Sequence, residues 1–70
     1  MIHQYVESSS VRSLGYDPGD RALEVQFVSG GVYRYLDVPA RVVEGLARAS
    51  SIGSYVARNV RGRYRFRRLA

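Results

Sequence analysis

Leu23, Val25 and Phe27 alternate with Ala22, Glu24 and Gln26, the period of two that a strand with one buried face requires. Turn chemistry bounds this run on both sides. Before it stands Asp17-Pro18-Gly19-Asp20, where proline presets φ and glycine accepts a positive φ; after it stands Ser29-Gly30-Gly31. A run so punctuated sits inside a β-meander, with a weaker strand over residues 11–16 before it and Val32-Tyr33-Arg34-Tyr35-Leu36-Asp37 after it. If Ser29, Gly30 and Gly31 form a three-residue loop, Phe27 opposes Tyr33 and Val25 opposes Tyr35, so aromatic and branched residues share a face. A two-residue loop at Ser29-Gly30 would set Arg34 against Val25, so the first register is expected. It places Tyr33 and Tyr35 in the core; on the open face they would instead form a stacking platform for bases. Arg34 then projects from the opposite face with Arg12, beside Glu24.

The period changes after the meander. Pro39 suits a first helical position, and Val42, Val43, Leu46 and Ala49 recur at helical spacing, which predicts a helix over residues 39–49. Gly45 inside it costs up to about 1 kcal/mol against alanine and implies that something packs close there. Ser50 or Ser51 caps a second helix over residues 51–61, with Ile52, Tyr55, Val56 and Val60 in one stripe and Gly62 closing it. Arg63-Tyr64-Arg65-Phe66-Arg67-Arg68-Leu69 alternates charge with aromatics and reads as a short strand or a basic tail. The expected fold is α+β: a three-stranded antiparallel meander followed by two helices packed on one face. Its core comprises Leu23, Val25, Phe27, Tyr33, Tyr35, Val42, Leu46, Tyr55 and Val56.

Seventy residues hold one small domain, residues 1–70. Cysteine and lysine are both absent, which excludes disulfides, thiolate metal sites and lysine Schiff bases. The single histidine, His3, lies where chain ends fray, so no serine has a dependable general base and no catalytic residue is assigned. No cofactor and no metal are expected. No apolar run approaches the roughly 20 residues of a membrane span, and the first residues do not read as a signal peptide, so a cytoplasmic protein is expected.

The charge of +5 is unevenly placed. Residues 1–57 carry five arginines and all six acids, whereas residues 58–70 carry six arginines and no acid. Arg58, Arg61, Arg63, Arg65, Arg67 and Arg68, interleaved with Tyr64 and Phe66, suit a nucleic acid, because guanidinium forks pair with phosphates while rings stack on bases. Residues 62–70 form the basic segment, and Arg34 is the sheet-borne candidate. Competing readings are a solvated face, a helix end favoured by Arg58 and Arg61, and an edge strand whose Arg63, Arg65 and Arg67 discourage aggregation.

Ser9-Ser10-Val11, Leu14-Gly15-Tyr16-Asp17, Leu23 to Phe27, Ser29-Gly30, Tyr33-Arg34-Tyr35, Val38-Pro39, Leu46, Ala49, Ser51, Gly53, Tyr55 and Val60-Arg61 occur in the order and spacing of the KTSC domain. The chain resembles that family over nearly its whole length. The family takes its name from the C-terminus of some lysyl-tRNA synthetases, also occurs as small stand-alone proteins, and carries a tyrosine–any–tyrosine signature, here Tyr33-Arg34-Tyr35. Where the family commonly has Phe-Asn after the tyrosine of the second helix, this chain has Val56-Ala57, so no role passes to it from that asparagine. The resemblance implies RNA binding. A non-enzymatic nucleic-acid-binding module is therefore expected, RNA favoured over DNA. The alternative is a protein-interaction module that docks on a larger nucleic-acid enzyme, such as a synthetase or polymerase, by strand addition.

Overall fold

Asp17 makes the first turn. Its carboxylate Oδ1 accepts the amides of Gly19 at 2.9 Å and Asp20 at 3.3 Å, an Asx turn that reverses the chain. The left-handed residue there is Arg21, at φ 52°, and not Gly19. A computed structural model describes residues 1–70 as β1 (His3–Tyr5), β2 (Val11–Asp17), β3 (Ala22–Phe27), β4 (Val32–Tyr35), α1 (Ala40–Arg48), α2 (Ile52–Asn59) and β5 (Phe66–Arg68). The strands form one antiparallel sheet in the order β1-β2-β3-β4-β5.

The sheet thus has five strands rather than three. The meander and both helices stand where the periodicities put them, but β1 adds an outer strand at one edge, and β5 returns past the helices to pair with β4. The last residues are strand, not tail: the Leu69 amide donates to the Val32 carbonyl at 2.7 Å, and the Leu36 amide to the Arg65 carbonyl at 2.8 Å.

The expected register is corrected by two residues. Val25 opposes Tyr33 and Leu23 opposes Tyr35. The Phe27 amide donates to the Gly31 carbonyl at 2.8 Å, so the turn is made by Val28, Ser29 and Gly30, with Gly30 at φ 112°. A two-residue slip leaves every side chain on its face, which is why the face assignments survive.

One face of the sheet carries Val11, Leu23, Val25 and Tyr35, packed against Val38, Leu46, Val56 and Val60 from the helical layer. Phe27, Tyr33, Val42 and Tyr55, expected in the core, are half-buried at its margin. Ser51 Oγ accepts the Ser54 amide at 3.3 Å and caps α2. The neighbour that requires glycine at position 45 is Tyr55: a methyl group there would run into its hydroxyl, which donates to the Val42 carbonyl at 2.9 Å and ties α2 to α1. Only 12 of 70 residues are buried, so the outer strands depend on side-chain ties as well as on the core.

Candidate nucleic-acid interface

Where β3, β4 and β5 run side by side, their alternation brings four rings together on the helix-facing side. Val25 opposes Tyr33, Tyr35 opposes Phe66 and Tyr33 opposes Arg68, so Phe27, Tyr33, Tyr35, Phe66 and Arg68 all point the same way. Tyr33 stands at the centre. Its ring centroid lies 5.6 Å from Phe27 edge-on, 6.4 Å from Tyr35 in a stacked arrangement and 5.4 Å from Phe66. The helices cover the inner end of this strip and leave the outer end open: Tyr35 is 3 % exposed, Phe66 55 %. Burial pushes the Tyr35 phenol above its ordinary pKa, the nearby Arg61 guanidinium opposes the shift, and Tyr33 adds to it.

Two guanidinium groups lie over the same rings. Arg61, just beyond the end of α2, is 5.6 Å from the Phe27 centroid, and Arg68 is 5.5 Å from the Tyr33 centroid, both within cation–π range. Arg61 is held there by the chain reversal at Gly62, φ 76°. Arg63 Nε donates to the Arg58 carbonyl at 2.8 Å, which fixes these two residues beside each other at the helix end. Arg67 stands opposite Arg34 on the far side of the sheet, with Arg65 extending the pairing before it. Because β5 is the outermost strand, side chains from both of its faces border one rim. None of Arg58, Arg61, Arg63, Arg65, Arg67 and Arg68 forms an ion pair. Tyr64 is half-buried and packs against the core.

Arg34 is placed differently. Its Nη1 donates to Glu24 at 3.1 Å and its Nη2 reaches Asp20 at 3.5 Å, so its charge is already balanced within the chain. The same Glu24 holds His3, whose Nε2 lies 2.8 Å from Oε1, while His3 Nδ1 lies 2.9 Å from Ser13 Oγ and that hydroxyl donates to Gln26 Oε1 at 2.8 Å. The expectation that His3 frays is therefore corrected: it is part of β1 and pins that strand to β2 and β3. Sequence reading missed this network because its members lie 10 and 21 residues from His3. Serine, histidine and carboxylate stand in a row, yet Ser13 is 1 % exposed and its proton is committed to Gln26, so the hydroxyl offers no path to a substrate.

Two concavities accompany the rim. An apolar groove of about 590 Å³ runs between β1 and the helices, lined by Leu14, Tyr16, Val43, Leu46 and Ile52 among others; no charged side chain enters it to orient a polar ligand. A smaller polar cleft of about 460 Å³ lies between the helices and the Arg63-Tyr64 segment. No cluster of three metal-ligating side chains is present, and no helix is long and apolar enough to cross a membrane.

Comparison with known proteins agrees with this architecture. The chain is 54% identical over 50 residues to a protein of Stutzerimonas stutzeri, covering 71% of this chain and 70% of that one. It is 40% identical over 62 residues to a protein of Tsukamurella paurometabola, covering 89% and 92%. A lysine–tRNA ligase of Nostoc sp. matches at 33% over 64 residues, 91% of this chain but 11% of the ligase, so this kind of domain is a small part of a much longer enzyme there. The crystal structure of a KTSC domain protein from Yersinia pestis superposes with a TM-score of 0.95 at 38% identity, covering 99% of this chain and 97% of that one. The KTSC domain model matches residues 7–64, and with these relatives and this fold the chain belongs to the KTSC domain family.

Proposed function

We propose that the protein is a non-enzymatic module that binds single-stranded nucleic acid along the β5 rim, RNA in preference to DNA. The observation that carries this reading is an exposed aromatic strip flanked by guanidinium groups that no carboxylate neutralises: Phe66 and Tyr33 with Arg61 and Arg68 over the rings. An unpaired base stacks on Phe66, and the arginines, with Arg58, Arg63, Arg65 and Arg67 around the same rim, contact the phosphates. A duplex keeps its bases stacked on one another and gains only the phosphate contacts. Arg34 contributes to the sheet's own ion pairs rather than to the ligand. RNA is preferred because the domain also occurs within lysine–tRNA ligases.

Fluorescence anisotropy with a short single-stranded RNA tests this. Phe66→Ala removes the exposed ring with little disturbance of the fold and lowers single-strand affinity by roughly 5- to 150-fold, the equivalent of ~1–3 kcal/mol per stacked base, with a smaller effect on a duplex. Equal losses on single strand and duplex would count against stacking.

The occurrence of the domain within a longer enzyme favours a second reading, docking on a nucleic-acid enzyme through a sheet edge. The two separate in a pull-down with and without nuclease: a nucleic-acid complex is lost on digestion, and a protein contact survives it.

A further inference from the structure

The polar cleft of about 460 Å³ is bounded by Arg41 and Val42 of α1, Tyr55 and Asn59 of α2, and Arg63 and Tyr64 of the following segment. It shares no residue with the aromatic strip. Two guanidinium groups line one concavity, and no carboxylate does; neither Arg41 nor Arg63 takes part in any ion pair. Like charges that share a cleft repel, and a bound anion turns that repulsion into attraction.

The hydrogen bonds show which groups remain free. Arg63 Nε is used by the Arg58 carbonyl at 2.8 Å, which anchors the guanidinium and leaves both Nη groups for a ligand. Asn59 Nδ2 donates to the Tyr55 carbonyl at 3.2 Å, leaving its carbonyl oxygen as an acceptor. The Tyr55 hydroxyl is spent on the Val42 carbonyl at 2.9 Å. What stays available is two guanidinium forks, one amide acceptor and the phenol of Tyr64. Two forks match a phosphomonoester, which carries close to two negative charges at neutral pH and offers three oxygens. The amide and phenol suit the polar edge and face of an attached base, and the volume lies within the range of small-molecule sites.

We infer that this cleft is a second site, binding the phosphomonoester of a nucleotide through Arg41 and Arg63, with Asn59 and Tyr64 against the base. The phosphate belongs either to a free nucleoside monophosphate or to the phosphorylated end of a strand.

Heteronuclear NMR titration of the whole protein tests the site with adenosine monophosphate, adenosine and inorganic phosphate as probes. The expected result is saturable shifts of the Asn59, Arg63 and Tyr64 amides with adenosine monophosphate, weaker ones with phosphate and none with adenosine. The pair Arg41→Gln and Arg63→Gln lowers the affinity at least about ten-fold while the thermal midpoint is held or raised, since removing the repulsion does not harm the fold. Phe66→Ala leaves monophosphate binding intact, so failure of the rim reading and failure of this one are distinct results. Equal binding of adenosine and adenosine monophosphate, shifts confined to Phe66 and Arg68, or unchanged affinity in the double variant would overturn the assignment. With monophosphate binding established, a 5′-phosphorylated oligonucleotide that outcompetes its 5′-hydroxyl counterpart identifies the strand end as the source, and equal competition identifies the free nucleotide.

Discussion

Tyr55 and Gly45 show how one side chain sets the identity of another. The Tyr55 hydroxyl occupies the space a methyl group on residue 45 would need and is fixed there by the Val42 carbonyl. Gly45→Ala therefore lowers stability by ~1–3 kcal/mol despite the better helix propensity of alanine, and the penalty shrinks in a Tyr55→Phe background; denaturant melts of the four variants measure the coupling. Tyr35 supplies a pH dependence. Burial raises its pKa above 10.0, so the unfolded chain loses that proton before the folded one does. Stability is unaffected by this group below pH 10.0 and falls as pH rises above it; Tyr35→Phe removes that part of the alkaline slope in pH-dependent denaturation. At this scale the sequence was informative where local propensity was violated. A glycine in mid-helix pointed to a close neighbour, but nothing local to it named Tyr55.

β1 is the element for which the sequence offered no signal. Three residues cannot display an alternation, and what holds the strand is side chains on β2 and β3. The His3 ring lies over Gly15, where a Cβ would come within 2.7 Å of it, and both ring nitrogens are engaged. His3→Ala is expected to cost ~1–2 kcal/mol and to release β1 alone: hydrogen exchange should quicken at the β1 amides and stay slow in β3 and β4. β3 was legible because its alternation is uninterrupted. The β3–β4 register was not, since a period of two fixes the face and leaves slips of two residues equivalent until the Phe27–Gly31 hydrogen bond selects one. β5 carried its alternation openly, yet only the partner strand β4 decides between strand and tail.

Across the whole molecule, charge is segregated by ion pairing as well as by sequence. Arg34, within the nearly neutral body, is satisfied by Glu24 and Asp20 on one face of the sheet, while the last six arginines find no acid. The sequence showed this imbalance in full. It did not show that β5 would carry Phe66 and Arg68 onto the same row as Tyr33 and Phe27, because that placement depends on the chain returning past two helices to the β4 edge. The rim reading is tested most directly by the affinity for single-stranded RNA as a function of salt. If about four to six phosphates are neutralised, log K falls against log salt with a slope of roughly −3 to −4, from ~0.7 per phosphate, and Arg61→Ser with Arg68→Ser makes the slope shallower by about one to two. A slope near zero, or one unchanged in that double variant, would contradict it.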